Sequence, residues 1–404
     1  MSKLNVNIAR DAITFLRDPV TIRQRSQQLF KRALENHSDF FKIDLNALDQ
    51  CCEFVLSNAK QQYPNFDVPF HSRFRHYEMD NISRLSQLKT PQQQFELIII
   101  SVLLDAGAGT KWQFFESSSG KYYGRSEGLA LAALEMYQQG YFSKTGNIQA
   151  DSEGLAQITP EKIAQGMQHS EGNPLLGLEG RASLVRNIAN IMQQKPNIFG
   201  KTQCLGDFYD HLLATAKIDE NTIDAKQVLL EVLETFADIW PGRIILEDTN
   251  LGDVWQHSAI EGEGLTNGLI PFHKLSQWLT YSLLEPFINQ GFQLTNLDLL
   301  TGLAEYRNGG LFVDTNVIAL KDNELYQHKH QPDSALIIEW RALTICLLDD
   351  LWQKALQLLG KDQTTLPLVS FLEAGTWKAG RIIAKQKRDD ASPPIAIQSD
   401  GTVF

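Results

Sequence analysis

The sequence is short of basic charge and of long apolar runs, and each shortage removes a class of partner. Its 37 Lys and Arg residues are outnumbered by 48 Asp and Glu among 404 residues, which gives a formal net charge of −11. Nonspecific binding to nucleic acid needs cations that displace the counterions of the phosphates, so we expect no nucleic-acid partner. The longest apolar stretch, Leu97 to Leu104, is far shorter than the roughly 20 residues of a membrane-spanning helix, so we expect no membrane partner.

Cysteine is scarce as well, and its spacing excludes the commonest metal sites. None of the four cysteines belongs to a CxxC pair, and the histidines form no HExxH motif. Zinc sites of those kinds are therefore not expected, and the sequence requires no metal and no organic cofactor. The N-terminal residues Met1–Asn7 contain no apolar signal region, so the expected location is the cytoplasm.

Helix signals dominate what is present. Thr90-Pro91 and Thr159-Pro160 each combine an N-cap residue with proline at the first helical position. Alternating patterns are rare, and Gly310–Asp314 and Arg243–Leu246 are the best strand candidates. We therefore predict a mostly α fold with at most a few short strands. The longer helices are expected at residues 90–104, 224–240 (ended by Pro241-Gly242), 272–284 (stopped by Pro286) and 336–359.

The chain contains no internal repeat and few linker signals. We predict a single large helical domain over residues 1–386, with a possible division into two lobes at the glycine-rich residues 261–268. Residues 387–404, with Pro393-Pro394 and mixed charge, are predicted to form a C-terminal tail.

One short motif resembles the nucleophile elbow of serine hydrolases. Residues Gly124–Gly128 fit G-x-S-x-G around Ser126, but the elbow needs an apolar strand before the serine, and here a polar loop precedes it. We expect Ser126 to cap the next helix, whose free N–H groups together with Arg125 can bind a phosphate or carboxylate; Glu127 is a further substrate-binding candidate. An ordinary capped surface helix fits the same residues.

A second segment concentrates cations in an acidic protein. Residues 69–77 contain His71, Arg73, Arg75 and His76 among three aromatic side chains. Arginine suits phosphate and carboxylate groups, and aromatic rings offer flat stacking surfaces. This segment is a candidate substrate-binding site, with a plain surface patch as the alternative.

A third segment carries carboxylates. Glu305, Arg307 and Asp314 lie around Gly309-Gly310 in what the sequence indicates is a turn, where glycine allows close approach of the backbone to a ligand. A carboxylate there can stabilise developing positive charge or activate water. An ordinary Glu–Arg surface pair is the alternative.

Single residues complete the candidates. Arg341 lies on the apolar face of the helix predicted at 336–359 and should need an anionic partner, whereas Glu339 lies on its polar face and should be solvated. His273 is a further binding candidate, as is Glu373 with Trp377. Each of these alone is more typical of a structural residue than of a functional one.

Together these residues resemble the uracil-catabolism "protein four" (Urg-three) family over nearly the whole chain. A weaker similarity links Glu305-Tyr306-Arg307 and Glu339-Trp340-Arg341 to the Asp-Tyr-Arg and Glu-Ile-Arg motifs of queuosine-salvage nucleosidases, which are helical and DNA-glycosylase-like. Glu305 stands where those proteins have aspartate. The strings that carry the family resemblance are residues 68–76, 103–109, 123–129, 303–310 and 338–343.

The resemblance implies an N-ribosyl hydrolase that cleaves a ribosylurea-like 5′-phosphate, a phosphorylated riboside, into urea and a sugar phosphate. Glu305 would stabilise the oxocarbenium-like transition state, with Asp314 as its substitute. The cations at 71–76 and Arg125 would hold phosphate and sugar, and Arg307 and Arg341 would orient the carboxylates. The alternatives are a non-catalytic nucleotide-binding or regulatory protein of the same pathway, and an amidohydrolase acting on the urea group.

Overall fold

Capping residues determine where several helices begin, largely where the sequence predicts. In the computed structural model, the Thr90 hydroxyl accepts a hydrogen bond from the backbone N–H of Gln93 at 3.2 Å. The Asp224 carboxylate accepts from the N–H groups of Lys226 and Gln227. Each contact satisfies a backbone donor that has no partner inside its helix. The helices predicted to begin at these residues are confirmed.

Helices dominate the parts of the chain that the structure describes, which are residues 3–105, 107–109, 111–239 and 243–398. The helices are α1 (Lys3–Arg17), α2 (Pro19–Leu34), α3 (Ala47–Gln62), α4 (Pro91–Leu103), α5 (Arg125–Gln138), α6 (Ser152–Ala156), α7 (Pro160–Gly166), α8 (Leu178–Gln194), α9 (Pro196–Phe199), α10 (Asp207–Thr215), α11 (Ala225–Phe236), α12 (Lys274–Asn289), α13 (Tyr306–Asp314), α14 (Ala335–Leu359), α15 (Leu368–Phe371) and α16 (Trp377–Lys387). A π-helix, Leu372–Thr376, joins α15 to α16. The mostly α fold is confirmed.

The strands are two to four residues long and pair in small sheets: β1 with β11, β2 with β3, β5 with both β4 and β10, β6 with β7, β8 with β9, and β12 with β13. Their bounds are β1 (Phe41–Ile43), β2 (Gln113–Glu116), β3 (Lys121–Gly124), β4 (Lys217–Asp219), β5 (Thr222–Asp224), β6 (Ile245–Leu246), β7 (Thr249–Asn250), β8 (Val254–Gln256), β9 (Leu269–Pro271), β10 (Gln293–Thr295), β11 (Ile318–Leu320), β12 (Lys329–His330) and β13 (Ala396–Ile397).

The described chain divides into two units built from discontinuous segments. Residues before Ser72, those from 243 to 277 and those from 296 onward form unit 1, and the remainder form unit 2. The glycine-rich segment 261–268 lies within unit 1, and the predicted division there stays a prediction. As far as the structure describes it, the predicted tail is packed, because Ile395 is buried and β13 pairs with β12.

In unit 1 the core is built around α14. This helix is buried continuously from Leu336 to Leu348, and α2 and α13 pack against it. α13 in turn packs against α16, where Gly380 approaches the carbonyl oxygen of Arg307 too closely for any side chain. The packing fixes the first turn of α13, which carries the predicted carboxylate.

In unit 2 the core lies between α4, α5 and α8. α4 is buried from Phe95 to Leu103 and packs against both other helices. Gly128 allows α5 to lie directly over the backbone of Tyr123 in β3. β2 and β3 form a hairpin where the sequence indicated a polar loop.

Two predicted boundaries are wrong. Pro286 lies inside α12, which continues to Asn289; proline is disfavoured there, and the buried side chains on either side of it, Leu284 and Phe287, hold the helix in the core. The predicted strand at Gly310–Asp314 is helical, since the N-cap at Glu305 starts α13 ahead of it. The strand predicted at 243–246 is present in part as β6. The predicted helix stop at 240–242 lies outside the described residues.

All four cysteines are free, and three of them are buried. Burial raises the pKa of Cys51 to about 12. No helix in the described part of the chain is long and apolar enough to cross a bilayer.

Candidate functional site

Glu305 occupies the N-cap of α13. Its carboxylate accepts hydrogen bonds from the backbone N–H groups of Arg307 at 2.8 Å and Asn308 at 2.6 Å, and the residue is 9% exposed. The negative charge therefore lies at the positive end of the helix dipole. The predicted catalytic carboxylate is fixed in place by the backbone that follows it.

Arg307 lies between two aromatic rings. Its guanidinium carbon is 5.2 Å from the ring centroid of Tyr306 and 5.2 Å from that of Trp377. Although the residue is only 9% exposed, its guanidinium has no hydrogen bond or ion pair with any described residue. Buried cations are normally paired. The sequence predicts that the Arg307 guanidinium orients Glu305 or Asp314, but no described contact joins it to either carboxylate.

A small pocket opens beside Arg307. It contains about 200 Å³ of empty space, including open solvent at its mouth. Gly309-Gly310, expected to approach a ligand, lie inside α13, where Gly309 faces Trp340 and Gly310 faces Pro394. The pocket is lined by Tyr306, Arg307, Gly310, Asp314, Gly380, Ala384 and residues 391–394.

Asp314, the second candidate carboxylate, is held by the C-terminal segment. Arg388 donates to its two oxygens at 2.8 and 2.5 Å and to the carbonyl of Ser392 at 2.7 Å. Arg388 thus neutralises Asp314 and attaches the segment 388–394, which we call the strap, across one wall of the pocket. The sequence predicts a tail over residues 387–404. No sequence pattern indicates that Arg388 binds Asp314.

His71 joins the same aromatic cluster. Its Nδ1 lies 2.7 Å from Oε2 of Glu373, and its ring centroid is 5.5 Å from that of Trp377. Glu373 belongs to the π-helix that precedes Trp377, and π-helical turns occur frequently at functional sites. Unit 1 therefore brings His71, Glu373, Trp377 and Arg307 together, although His71 is more than 200 residues from the others in sequence.

Arg341 has the anionic partner that its position on the apolar face predicted. Its guanidinium donates to the two oxygens of Asp253 at 2.8 and 2.7 Å and lies 4.1 Å from the ring centroid of Phe272. Burial works to raise the pKa of Asp253, but Arg341 and the N–H groups of Lys274 and Trp255 hold it at about 2. The sequence analysis did not single out Asp253.

Glu339 and His273 are both buried. The expectation that Glu339 is solvated is wrong: it is 4% exposed, because packing covers the whole circumference of this part of α14, and burial raises its pKa to about 7. His273 places Nε2 2.8 Å from the carbonyl oxygen of Leu16, and burial lowers its pKa. Their predicted contact with substrate stays a prediction.

Arg73 forms the centre of a polar network within unit 2. It is fully buried, donates from Nε to the Ser101 hydroxyl at 2.7 Å and from Nη1 to the Ser126 hydroxyl at 2.9 Å, and lies 3.2 Å from Asp105. The Ser126 hydroxyl donates to the same Asp105 carboxylate. This network positions Asp105, which lies in one of the strings that carry the family resemblance.

Ser126 is not the N-cap that the sequence predicted. α5 begins at Arg125, two residues earlier than a helix capped by Ser126 would, with Gly124 as its cap, because β3 leads directly into the helix. The positive φ of 55° falls on Arg125, an exposed residue, and Glu127 is partly buried. A nucleophile elbow would place the strained turn at the serine itself, and the described contacts of the Ser126 hydroxyl are with Asp105 and Arg73.

The other cations of the 69–77 segment are also engaged. Arg75 forms ion pairs with Glu285 at 2.6 Å and Glu78 at 2.5 Å. The ring of His76 meets that of Trp278 edge-on at 6.2 Å. Among these predicted phosphate ligands, Arg73 and Arg75 already have carboxylate partners within unit 2.

The fold and this cluster define a mostly helical protein with a small pocket lined by an arginine, Arg307, and a carboxylate, Asp314. The family described as "Protein of unknown function (DUF1688)" matches residues 15–404, and the chain belongs to it. Protein urg3 of Schizosaccharomyces pombe is 38% identical over 404 residues, covering 95% of this chain and 96% of its own length. Uracil catabolism protein 4 of Lachancea kluyveri is 34% identical over 436 residues, covering 97% of this chain and 99% of its own. The family resemblance is confirmed.

Proposed function

We propose that the protein acts in uracil catabolism as an N-ribosyl hydrolase that cleaves a ribosylurea 5′-phosphate into urea and a sugar phosphate. A relative named for uracil catabolism, matched over nearly its full length, supports the pathway. The reaction itself rests on one observation: at the start of α13 a fixed carboxylate, Glu305, is two residues from an arginine, Arg307, that lines a pocket.

The chemistry requires a negative charge near the sugar. As the bond between C1′ and the urea nitrogen breaks, positive charge develops on the ring, and water adds to C1′ while its proton ends on urea. A carboxylate that is already in position stabilises that charge without reorganisation. Glu305 fits this role because two backbone N–H groups fix it while its remaining lone pairs can face a ligand.

The experiment measures free urea and sugar phosphate released from synthetic ribosylurea 5′-phosphate. Glu305→Gln should lower the rate by about 100-fold or more, the scale seen when one electrostatic group is removed from an active site. Because the change also alters an N-cap, Asp18→Asn serves as the matched control. Asp18 caps α2 in the same unit, accepting from Val20 N at 2.9 Å.

Both variants keep a side-chain oxygen that can accept the cap hydrogen bonds, so both should stay folded with little change in the free energy of unfolding, and only Glu305→Gln should lose turnover. If Glu305→Gln keeps most of the wild-type rate, the assignment of Glu305 is wrong.

A nucleotide-binding protein without turnover is the second candidate. It is favoured by the structural engagement of both carboxylates, since Glu305 caps α13 and Asp314 binds Arg388. This function predicts that ribosylurea 5′-phosphate raises the melting temperature while no urea appears.

A further inference from the structure

The Arg307 guanidinium has no acceptor among the residues that the structure describes. Nine-tenths of the residue is buried; its guanidinium lies near the rings of Tyr306 and Trp377, and its backbone N–H donates to the Glu305 carboxylate. Transfer of an unpaired charge into such surroundings is costly. A largely buried arginine that lines a pocket and has no acceptor in the described part of the chain therefore indicates a site for an anion.

Other buried or partly buried arginines near the predicted sites already have acceptors. Arg341 is matched to Asp253 within unit 1, and Arg73 to Asp105 within unit 2. Arg75, also in unit 2, is paired with Glu285. Arg307 differs from these arginines because the N–H groups of its guanidinium remain available to a ligand.

The pocket around Arg307 suits a small anion. Asp314 lies in its wall and would repel one, but Arg388 binds both Asp314 oxygens. Gly310 and Gly380 keep the wall free of side chains. The strap contributes residues 391–394 to the wall, and a pocket this small cannot enclose a whole nucleotide.

We propose that Arg307 and this pocket bind a phosphate monoester group, and that in the reaction proposed above they anchor the 5′-phosphate of the substrate. The role extends the proposed function and reassigns the phosphate from the 71–76 cations to Arg307. The planar guanidinium donates two parallel hydrogen bonds to phosphate oxygens, and the strap covers the bound group.

The test is calorimetric titration of the full-length protein with inorganic phosphate and with ribose 5-phosphate. Arg307→Met should weaken both by about 10- to 100-fold, the range for losing hydrogen bonds to a charged group. Arg307→Lys keeps the charge, loses the fork and should fall between. Arg381→Met is the matched control, because Arg381 lies 5.9 Å from the same Trp377 ring and does not line the pocket. The Arg381→Met variant should bind phosphate with the affinity of the wild type.

The proposal is overturned if the wild-type protein shows no saturable phosphate binding, or if Arg307→Met and Arg307→Lys, folded by melting temperature, bind phosphate as the wild type does. The proposed function has a separate outcome. Phosphate binding that depends on Arg307, without release of urea from ribosylurea 5′-phosphate, would keep this site and remove the hydrolase. Release of urea by Arg307→Met with an unchanged KM would keep the hydrolase and remove the phosphate site at Arg307.

Discussion

Glu305 combines a structural and a proposed chemical role in one side chain. Its two hydrogen bonds from backbone N–H groups start α13 and also fix where the carboxylate lies. An ionised carboxylate has about four acceptor positions, so these bonds leave capacity for a substrate. The resemblance implies a catalytic carboxylate at Glu305. The sequence around it is typical of a turn, so it did not predict that Glu305 is the extended N-cap residue of a helix.

Glu339 should make stability depend on pH. Burial raises its pKa from the ordinary 4.5 to about 7. Between these values the folded state binds more protons than the unfolded state, so the free energy of unfolding falls as pH rises toward 7. Glu339→Gln removes the titrating group and with it this fall in the free energy of unfolding. From about pH 4 to pH 8, the difference in unfolding free energy between Glu339→Gln and the wild type should shift in favour of the variant by roughly 2–3 kcal/mol. Urea unfolding at several pH values measures it.

Glu261→Gln is the control for this experiment, because Glu261 is exposed in the same unit. It should leave the pH dependence of stability unchanged. If Glu339→Gln and the wild type show the same dependence of stability on pH between about pH 4 and pH 8, Glu339 is not protonated in the folded state.

The pair Arg341–Asp253 should be costly to break and cheaper to replace as a whole. Arg341→Met or Asp253→Asn leaves a buried charge alone and should each cost about 3–5 kcal/mol. The double variant should lose less than the sum of the two, by denaturant unfolding, since it leaves no isolated charge. Additive losses would mean that the two groups do not interact in the folded protein.

The pH response of this pair has the opposite sign from that of Glu339. The pKa of Asp253 is held at about 2 instead of 3.8, so its stabilisation is present above that ordinary value and is lost as pH falls toward 2. The need for a partner could be predicted from the position of Arg341 on an apolar face. The identity of the partner could not, because Asp253 follows a short loop 88 residues earlier.

At the scale of elements, helix N-caps predicted where helices begin better than proline and glycine predicted where they end. Thr90 and Asp224 start helices through local hydrogen bonds that the sequence encodes directly. Pro286 and the stretch Gly309–Asp314 depend on tertiary packing instead. α12 continues past its proline, and Gly309 and Gly310 allow α13 to pack closely against Trp340 and Pro394.

The contact between α16 and α13 should be sensitive to one methyl group. In Gly380→Ala the new Cβ would collide with the carbonyl oxygen of Arg307, and overpacking of this kind costs about 1–3 kcal/mol. Gly180→Ala is the matched control, because Gly180 is also helical and nothing lies within 4 Å of its Cβ position. It should gain about 0.5–1 kcal/mol.

Thermal unfolding compares the two variants, and phosphate affinity adds a second readout, since a shift of α13 moves Arg307. Equal stability changes in the two glycine variants would contradict the close packing of α16 on α13.

At the scale of the whole molecule, the helical class followed from local patterns and the two units did not. Each unit is assembled from segments far apart in sequence, so no composition change marks a boundary. The candidate site shows the same limit. His71 and Glu373 were both noticed in the sequence, but only tertiary structure brings them to the same Trp377 ring.

The net charge of −11 also constrains how a phosphorylated ligand can bind. An acidic protein does not attract such an anion over long distances, so affinity must arise from contacts at the site. An unpaired, largely buried arginine is consistent with this requirement, because charge-assisted hydrogen bonds act at short range.

The most direct test of the account follows urea and sugar phosphate together during incubation of the wild-type protein with ribosylurea 5′-phosphate. The account predicts that both products appear in equal amounts, that Glu305→Gln abolishes their release and that Asp18→Asn does not. If the folded wild-type protein releases no urea, the hydrolase is contradicted, and thermal stabilisation by the same compound would then favour the binding protein.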